Sequence, residues 1–150
     1  MIHEFKTYHG SAFVELIDDS KTPISILRPD LNKNSLYELN GEIGLYLKHS
    51  VKRLSPWRFT FQPEHVDDLS TMKETYRNNF LILICGRNSI AVINSDEFSA
   101  LLPITEISHS WISVRTGHNK MLQIEGSSGS LSRKIRRTNP FIDVKALLSN

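Results

Sequence analysis

The sequence predicts a mixed α/β (or α+β) fold, with a central mixed β-sheet flanked by helices. Three observations predict it. Residues 63 to 76 place Val66, Leu69, Met72 and Tyr76 at helical spacing, just ahead of Phe80-Leu-Ile-Leu-Ile-Cys85, a run apolar on both faces as in a central strand. Asn40-Gly41, a strong short turn signal, separates two strand-like runs. No repeat, linker or low-complexity stretch interrupts the 150 residues, so residues 1–150 are expected to form one domain around one core.

The elements follow in order. Residues 4 to 18 read as a helix, with Phe5, Phe13, Leu16 and Ile17 near one face, joined by Tyr8 and Ala12; Gly10 weakens it. A turn from Asp18 to Pro23 leads to a short strand, Ile24 to Leu27, ended by Arg28-Pro29-Asp30. Leu31 to Asn34 is a polar loop, and Ser35–Leu39 with Ile43–His49 form the hairpin. Arg58 to Phe61 alternates like a strand. Pro63 opens the next helix, with Glu64, Asp67 and Asp68 at the positive end of its dipole. After the central strand, Gly86-Arg-Asn-Ser89 turns the chain into Ile90–Ile93, and Asn94 with Glu97 forms a capping box for a helix over Ser95 to Leu102. Trp111–Arg115 and Met121–Glu125 form a second hairpin around residues 116 to 119, and Gly126 to Gly129 is another turn. Leu131 to Ile135 reads as an edge strand, followed by a basic tail and a terminal helix near Val144 to Leu148.

The hydrophobic fraction of 39% and charged fraction of 23% are ordinary for a globular protein, and the net charge is only +2. Any affinity for polyanions must therefore come from a local patch. The single cysteine, Cys85, lies inside an apolar run, which points to a small buried hydrophobe and a reducing compartment. The start of the chain has no apolar signal core and no run is long enough to span a bilayer, so the expectation is a cytoplasmic protein with no membrane partner.

One segment stands out. Gly44 to Phe61 carries Lys48, Lys52, Arg53 and Arg58 around a Pro56-Trp57 step, without an acidic residue. Such a cluster suits an anionic partner. A second cluster, Arg133-Lys134-Ile135-Arg136-Arg137, adds four cations and again no acid between Leu131 and Asn139. Its functional reading is contact with phosphates; its bland reading is a solvated edge strand and tail. Side by side, the two clusters would form one groove.

There is no phosphate-binding glycine loop, no GxGxxG, no GxSxG and no HExxH, and the six histidines show no ligand spacing with cysteine. One constellation survives: Glu15 on the first helix, then Pro29-Asp30, then Lys48 at the end of the strand Ile43-Gly-Leu-Tyr-Leu-Lys48. Metal-dependent phosphodiester hydrolysis uses this set. Carboxylates hold a Mg²⁺-type cation, and a lysine stabilises charge or orients water. Strand alternation puts Glu42, Gly44, Tyr46 and Lys48 on one face, with Ile43, Leu45 and Leu47 on the core face.

In that order of elements and residues the chain resembles the PD-(D/E)XK nuclease superfamily, the restriction-endonuclease-like fold, over roughly residues 4 to 93. The resemblance implies an aspartate near one strand (Asp30), an acid and a lysine on the next (Lys48), and a helical glutamate (Glu15). Tyr46 stands where the acid before the lysine is expected. Either Glu42 supplies it from the same strand face, or the site is degenerate and only binding is left.

The leading expectation is a Mg²⁺-dependent nuclease of this fold. Lys48, Asp30 and Glu15 are its catalytic residues, and Asp30, Glu42 and Glu15 its metal ligands. Lys52, Arg53, Trp57, Arg58, Arg133, Lys134, Arg136 and Arg137 contact nucleic acid, DNA ahead of RNA, and a homodimer or protein partner completes double-strand cutting. Each residue has a plainer alternative. Glu15 is then a solvated helix residue, Asp30 a turn residue, Lys48 an edge-protecting charge and Trp57 a partly buried anchor. Two further readings are a non-catalytic module of the same architecture, in defence or regulation, and a small interaction domain unrelated to nucleic acid.

Overall fold

The computed structural model describes residues 1–18, 20–103, 109–117 and 121–148. The chain runs α1 (Glu4–Ile17), β1 (Ile26–Leu27), β2 (Leu36–Leu39), β3 (Ile43–Ser50), β4 (Trp57–Phe61), α2 (Pro63–Thr75), β5 (Asn78–Cys85), β6 (Ser89–Asn94), α3 (Ser95–Leu101), β7 (Ser110–Thr116), β8 (Leu122–Gly126), β9 (Gly129–Ser130) and α4 (Ile142–Leu148). The fold is mixed α/β, as expected.

It holds two sheets rather than one. The first has the order β1-β2-β3-β5-β6, and the second β4-β7-β8-β9. In the first, β3 and β5 run parallel, from Ile43 opposite Asn78 to Ser50 opposite Cys85, while the other pairs are antiparallel. A parallel pair needs a crossover, and α2 supplies it. Asn40 and Gly41 close the β2–β3 hairpin with φ of 50° and 70°, a left-handed pair that suits the twist of the strands.

The first sheet is covered on both faces. Ile43, Leu45, Leu47, Phe80, Ile82 and Ile84 pack with Ala12 and Leu16 of α1 and Val144 of α4. Tyr46, Leu81, Leu83 and Cys85 pack on the other side with α2, α3 and the second sheet. Both faces of β3 are therefore core, so Gly44 and Tyr46 are buried along with the residues on the expected core face. Gly44 sits where α2 comes closest: an added Cβ would lie 2.5 Å from Asn79 Oδ1 and 2.6 Å from Met72 Cγ.

Other expectations need adjusting. Ile17 is 51% exposed and belongs to the outer face of α1. The expected strand over 131 to 135 is a single bridge, Ile135 opposite Leu122, with the ladder partner β9 reduced to two residues. Ile135 is buried and anchors an otherwise irregular basic segment. The capping box of α3 forms as read, Glu97 N donating to Asn94 Oδ1 at 3.0 Å and Asn94 N to Glu97 Oε1 at 3.0 Å. Residues 118 and 119 of the second hairpin turn lie outside the described residues.

Candidate phosphate-binding cleft

The carboxylates expected around Lys48 come from three different parts of the chain. Glu15 is on α1, against the Leu45 and Leu47 face of the first sheet. Lys48 faces the other way: its amine donates to Thr60 O at 2.5 Å, lies 3.3 Å from His65 Nδ1 and sits 4.6 Å from the centre of the Phe61 ring. Glu42 lies in the turn just before β3, six residues and about 20 Å from Lys48. Asp30 closes a local turn, its Oδ1 accepting from Asn32 N at 2.9 Å. Arg28 braces that loop through Leu31 O at 3.1 Å and Asn34 Oδ1 at 2.7 Å. Among the described residues no group of three or more His, Cys, Asp or Glu is placed to hold a metal ion.

The acid beside Tyr46 comes instead from α2. Tyr46 OH donates to Asp68 Oδ2 at 3.3 Å, and Asp68 also pairs with Lys33. Burial, then the Asp68 charge, pushes the Tyr46 phenol well above its usual range. Burial alone lowers the Lys48 ammonium to about 8. Gln62 N donates to His65 Nδ1 at 3.1 Å, which makes Nδ1 the unprotonated nitrogen. Burial and then the neighbouring Lys48 keep His65 below its ordinary value. Lys48 thus tethers β3 to β4 and to the first turn of α2.

Trp57 is not exposed for base stacking, contrary to its assignment as a nucleic-acid contact. It is 1% exposed, within the core between the two sheets. Burying an indole removes 150–250 Å² from water, roughly 4–6 kcal/mol of gross hydrophobic stabilisation, which outweighs an exposed role here. Its Nε1–H donates to Lys52 O at 2.9 Å.

The basic residues divide between two surfaces. Lys52, Arg53 and Arg137 gather at the carboxyl ends of the parallel strands β3 and β5. Two adjoining concavities lie there. One, of about 470 Å³, is lined by Thr7, Tyr8, Ser11 and Glu15 of α1, by residues 86–90 and by Arg137. The other, of about 340 Å³, is lined by Tyr8, Val51, Lys52, Arg53, Arg87 and Asn88. Tyr8, Arg87 and Asn88 border both, so the two form one cleft. Arg137 donates to Asn88 Oδ1, which brings the tail of the second cluster beside the first. Open α/β sheets place ligands at this end of the strands, where the chain leaves the sheet; here β4 departs for the second sheet.

Local geometry fixes both walls. Gly86 N donates to Ser50 O at 2.9 Å, and Gly86 has φ of +57°. A Cβ there would come within 2.3 Å of Lys52 O. Lys52 directs its amine to Pro56 O at 2.9 Å. Arg53 and Arg87 make no hydrogen bond or ion pair among the described residues, and both are exposed. Behind Tyr8, the His49 ring stacks at 4.6 Å and 10°, and its Nε2 is 3.0 Å from Glu4 Oε1.

Arg58, Arg133 and Lys134 lie elsewhere, on the second sheet. The Arg58 guanidinium sits 4.5 Å over the Trp111 ring. Arg133 forms a bidentate pair with Glu97, at 2.8 Å at its closest. Lys134 borders a shallow hollow with Arg115 and Glu125, and Arg136 is exposed between the two surfaces. The sequence reading missed Arg87, Asn88 and Tyr8. Arg87 and Asn88 were visible as a polar turn closing the central strand, and the cation in that turn was the available signal.

No protein-family model matches the chain, and neither a curated protein nor a solved structure matches it significantly.

Proposed function

We propose that this protein binds the phosphate backbone of nucleic acid without cutting it, through the cleft at the carboxyl ends of β3 and β5. The observation that carries this reading is the meeting of Lys52, Arg53, Arg87 and Arg137 from three separate chain segments around one concavity. Two of these cations, Arg53 and Arg87, have no internal partner among the described residues. Cations held at a concave surface without ion-pair partners favour a polyanion, and guanidinium groups suit the bidentate geometry of phosphate. Arg58, Arg115 and Lys134 on the second sheet would add non-specific contacts on another side.

A Mg²⁺-dependent nuclease is the second reading. The order helix, antiparallel strands, crossover helix and parallel strand favours it, because it follows the order of the superfamily that the sequence resembles. It requires carboxylates around Lys48, and Glu15 lies with α1 on the other face of the first sheet.

Titrating labelled single-stranded and duplex oligonucleotides with the protein across a salt series tests the first reading. Affinity should fall linearly with salt on logarithmic axes. Affinity that is absent at low salt, or independent of salt, would count against phosphate contacts. The same samples incubated with Mg²⁺ separate the readings. Uncut nucleic acid is expected; cleavage abolished by both Lys48→Ala and Asp30→Ala would establish the nuclease instead.

A further inference from the structure

We propose that the cleft takes an unpaired nucleotide of a single strand, with its phosphates at the Lys52–Arg53 end and an amino-bearing base against Glu15. This rests on the phosphate-binding reading above and specifies its ligand.

The carboxylate that lines the cleft is confined to one of its two concavities. Lys52 and Arg53 border one concavity, Arg87 and Asn88 the junction, and Thr7, Ser11 and Glu15, with Arg137 across from them, the other. Tyr8, Ser11 and Glu15 fall at i, i+3 and i+7, so one face of α1 presents them together. Glu15 forms no hydrogen bond or ion pair among the described residues. A free carboxylate repels phosphate, which favours the acid-free Lys52–Arg53 concavity as the place for the backbone. The Glu15 end is the right place for a donor, and the donors a nucleotide offers are the N–H groups of its base, such as the cytosine amino group. The Ser11 and Thr7 hydroxyls can donate or accept beside it.

Size and shape agree. Concavities of about 470 and 340 Å³ fall within the range of roughly 300–1,000 Å³ typical of small-molecule sites. A stacked, paired duplex cannot insert a base edge and its backbone into such a hollow, whereas an unstacked nucleotide can. Tyr8, at the junction, is backed by the His49 ring and offers an aromatic platform of the kind that holds single-stranded bases. Val51 and Leu54, 58% and 71% exposed, flank Lys52 and Arg53 with apolar surface that sugars and bases can cover.

The test measures binding of the full chain to short labelled oligodeoxycytidine and oligodeoxyuridine at low salt and near-neutral pH. These differ at the base only in the ring's amino or carbonyl edge. Wild type should bind the cytosine strand about tenfold tighter, the lower range for one well-placed base contact. Glu15→Gln should remove most of that preference while leaving uridine binding little changed. Thermal melting of the variant should match wild type, since the Glu15 carboxylate makes no hydrogen bond or ion pair among the described residues. Equal binding of the two strands by wild type overturns the inference and leaves the phosphate reading standing. So does an unchanged preference in Glu15→Gln, or a duplex that competes as well as the single strand. Absence of binding to any of them overturns both.

Discussion

The buried indole of Trp57 donates its N–H to the backbone carbonyl of Lys52 at 2.9 Å, fastening the basic loop to the core from beneath. The same carbonyl is the atom that a side chain at Gly86 would strike. One peptide group therefore sets the spacing between the two walls of the cleft. It lets Trp57 hold the Lys52–Arg53 loop from within the core.

Trp57→Phe keeps most of the apolar volume and removes the donor. Leaving the Lys52 carbonyl unpaired costs about 1–3 kcal/mol, measurable by urea denaturation. Affinity for nucleic acid should fall as well, because the loop that carries Lys52 and Arg53 loses its anchor. Unchanged affinity in a folded Trp57→Phe variant would separate the indole from the cleft.

Gly44→Ala should destabilise more than its single methyl suggests. The new Cβ would be placed 2.5 Å from Asn79 Oδ1 and 2.6 Å from Met72 Cγ, between the parallel strands and the crossover helix. Overpacking of this kind costs about 1–3 kcal/mol. A melting midpoint equal to wild type would show that α2 can withdraw from the sheet at no cost.

Acid should unfold the protein partly through His9. The ring is 3% exposed, and its Nδ1 lies 2.8 Å from Tyr37 OH. Burial first, then the charges of His49 and Arg28, lowers its pKa from 6.5 to about 4. The unfolded chain then binds a proton that the folded chain refuses. This contribution is complete above pH 6.5 and is lost as pH falls towards 4, reaching about 3 kcal/mol. Stability curves of wild type and His9→Gln should converge in slope above pH 6.5 and diverge below it, wild type falling faster. Parallel curves through that window would contradict the assignment.

Most of the fold could be read from local signals. The Asn40-Gly41 turn, the Asn94–Glu97 box, the proline at the start of α2 and the doubly apolar β5 each carry their structure within a few residues, and all of these elements formed. The division into two sheets could not be read in that way. The pairing of β4 with β7, Trp57 opposite Val114, spans a long separation in sequence, and alternation in Trp57–Phe61 says only that one face is buried. The same limit applied to the site. Glu15, Asp30 and Lys48 stand in a suggestive order, but order does not say which face of the sheet α1 covers. The structure puts α1 on the Leu45 side, and so moves Glu15 away from Lys48 and towards Arg87 and Arg137. Likewise, the five-residue basic run near the end of the chain is split by the buried Ile135, which sends Arg133 to Glu97 and Arg137 to Asn88.

The most direct measurement is the salt dependence of nucleic-acid binding by wild type, by the Arg53→Glu/Arg87→Glu double variant, and by Arg133→Ala as a control on the other surface. The double variant should lose affinity and show a slope of log affinity against log salt smaller by about two, one for each lost phosphate contact. Folding stability should change by no more than about 0.5 kcal/mol, as usual for exposed positions, and Arg133→Ala should bind like wild type. A double variant with wild-type affinity and slope, or an equal loss in Arg133→Ala, would contradict the cleft as the site of binding.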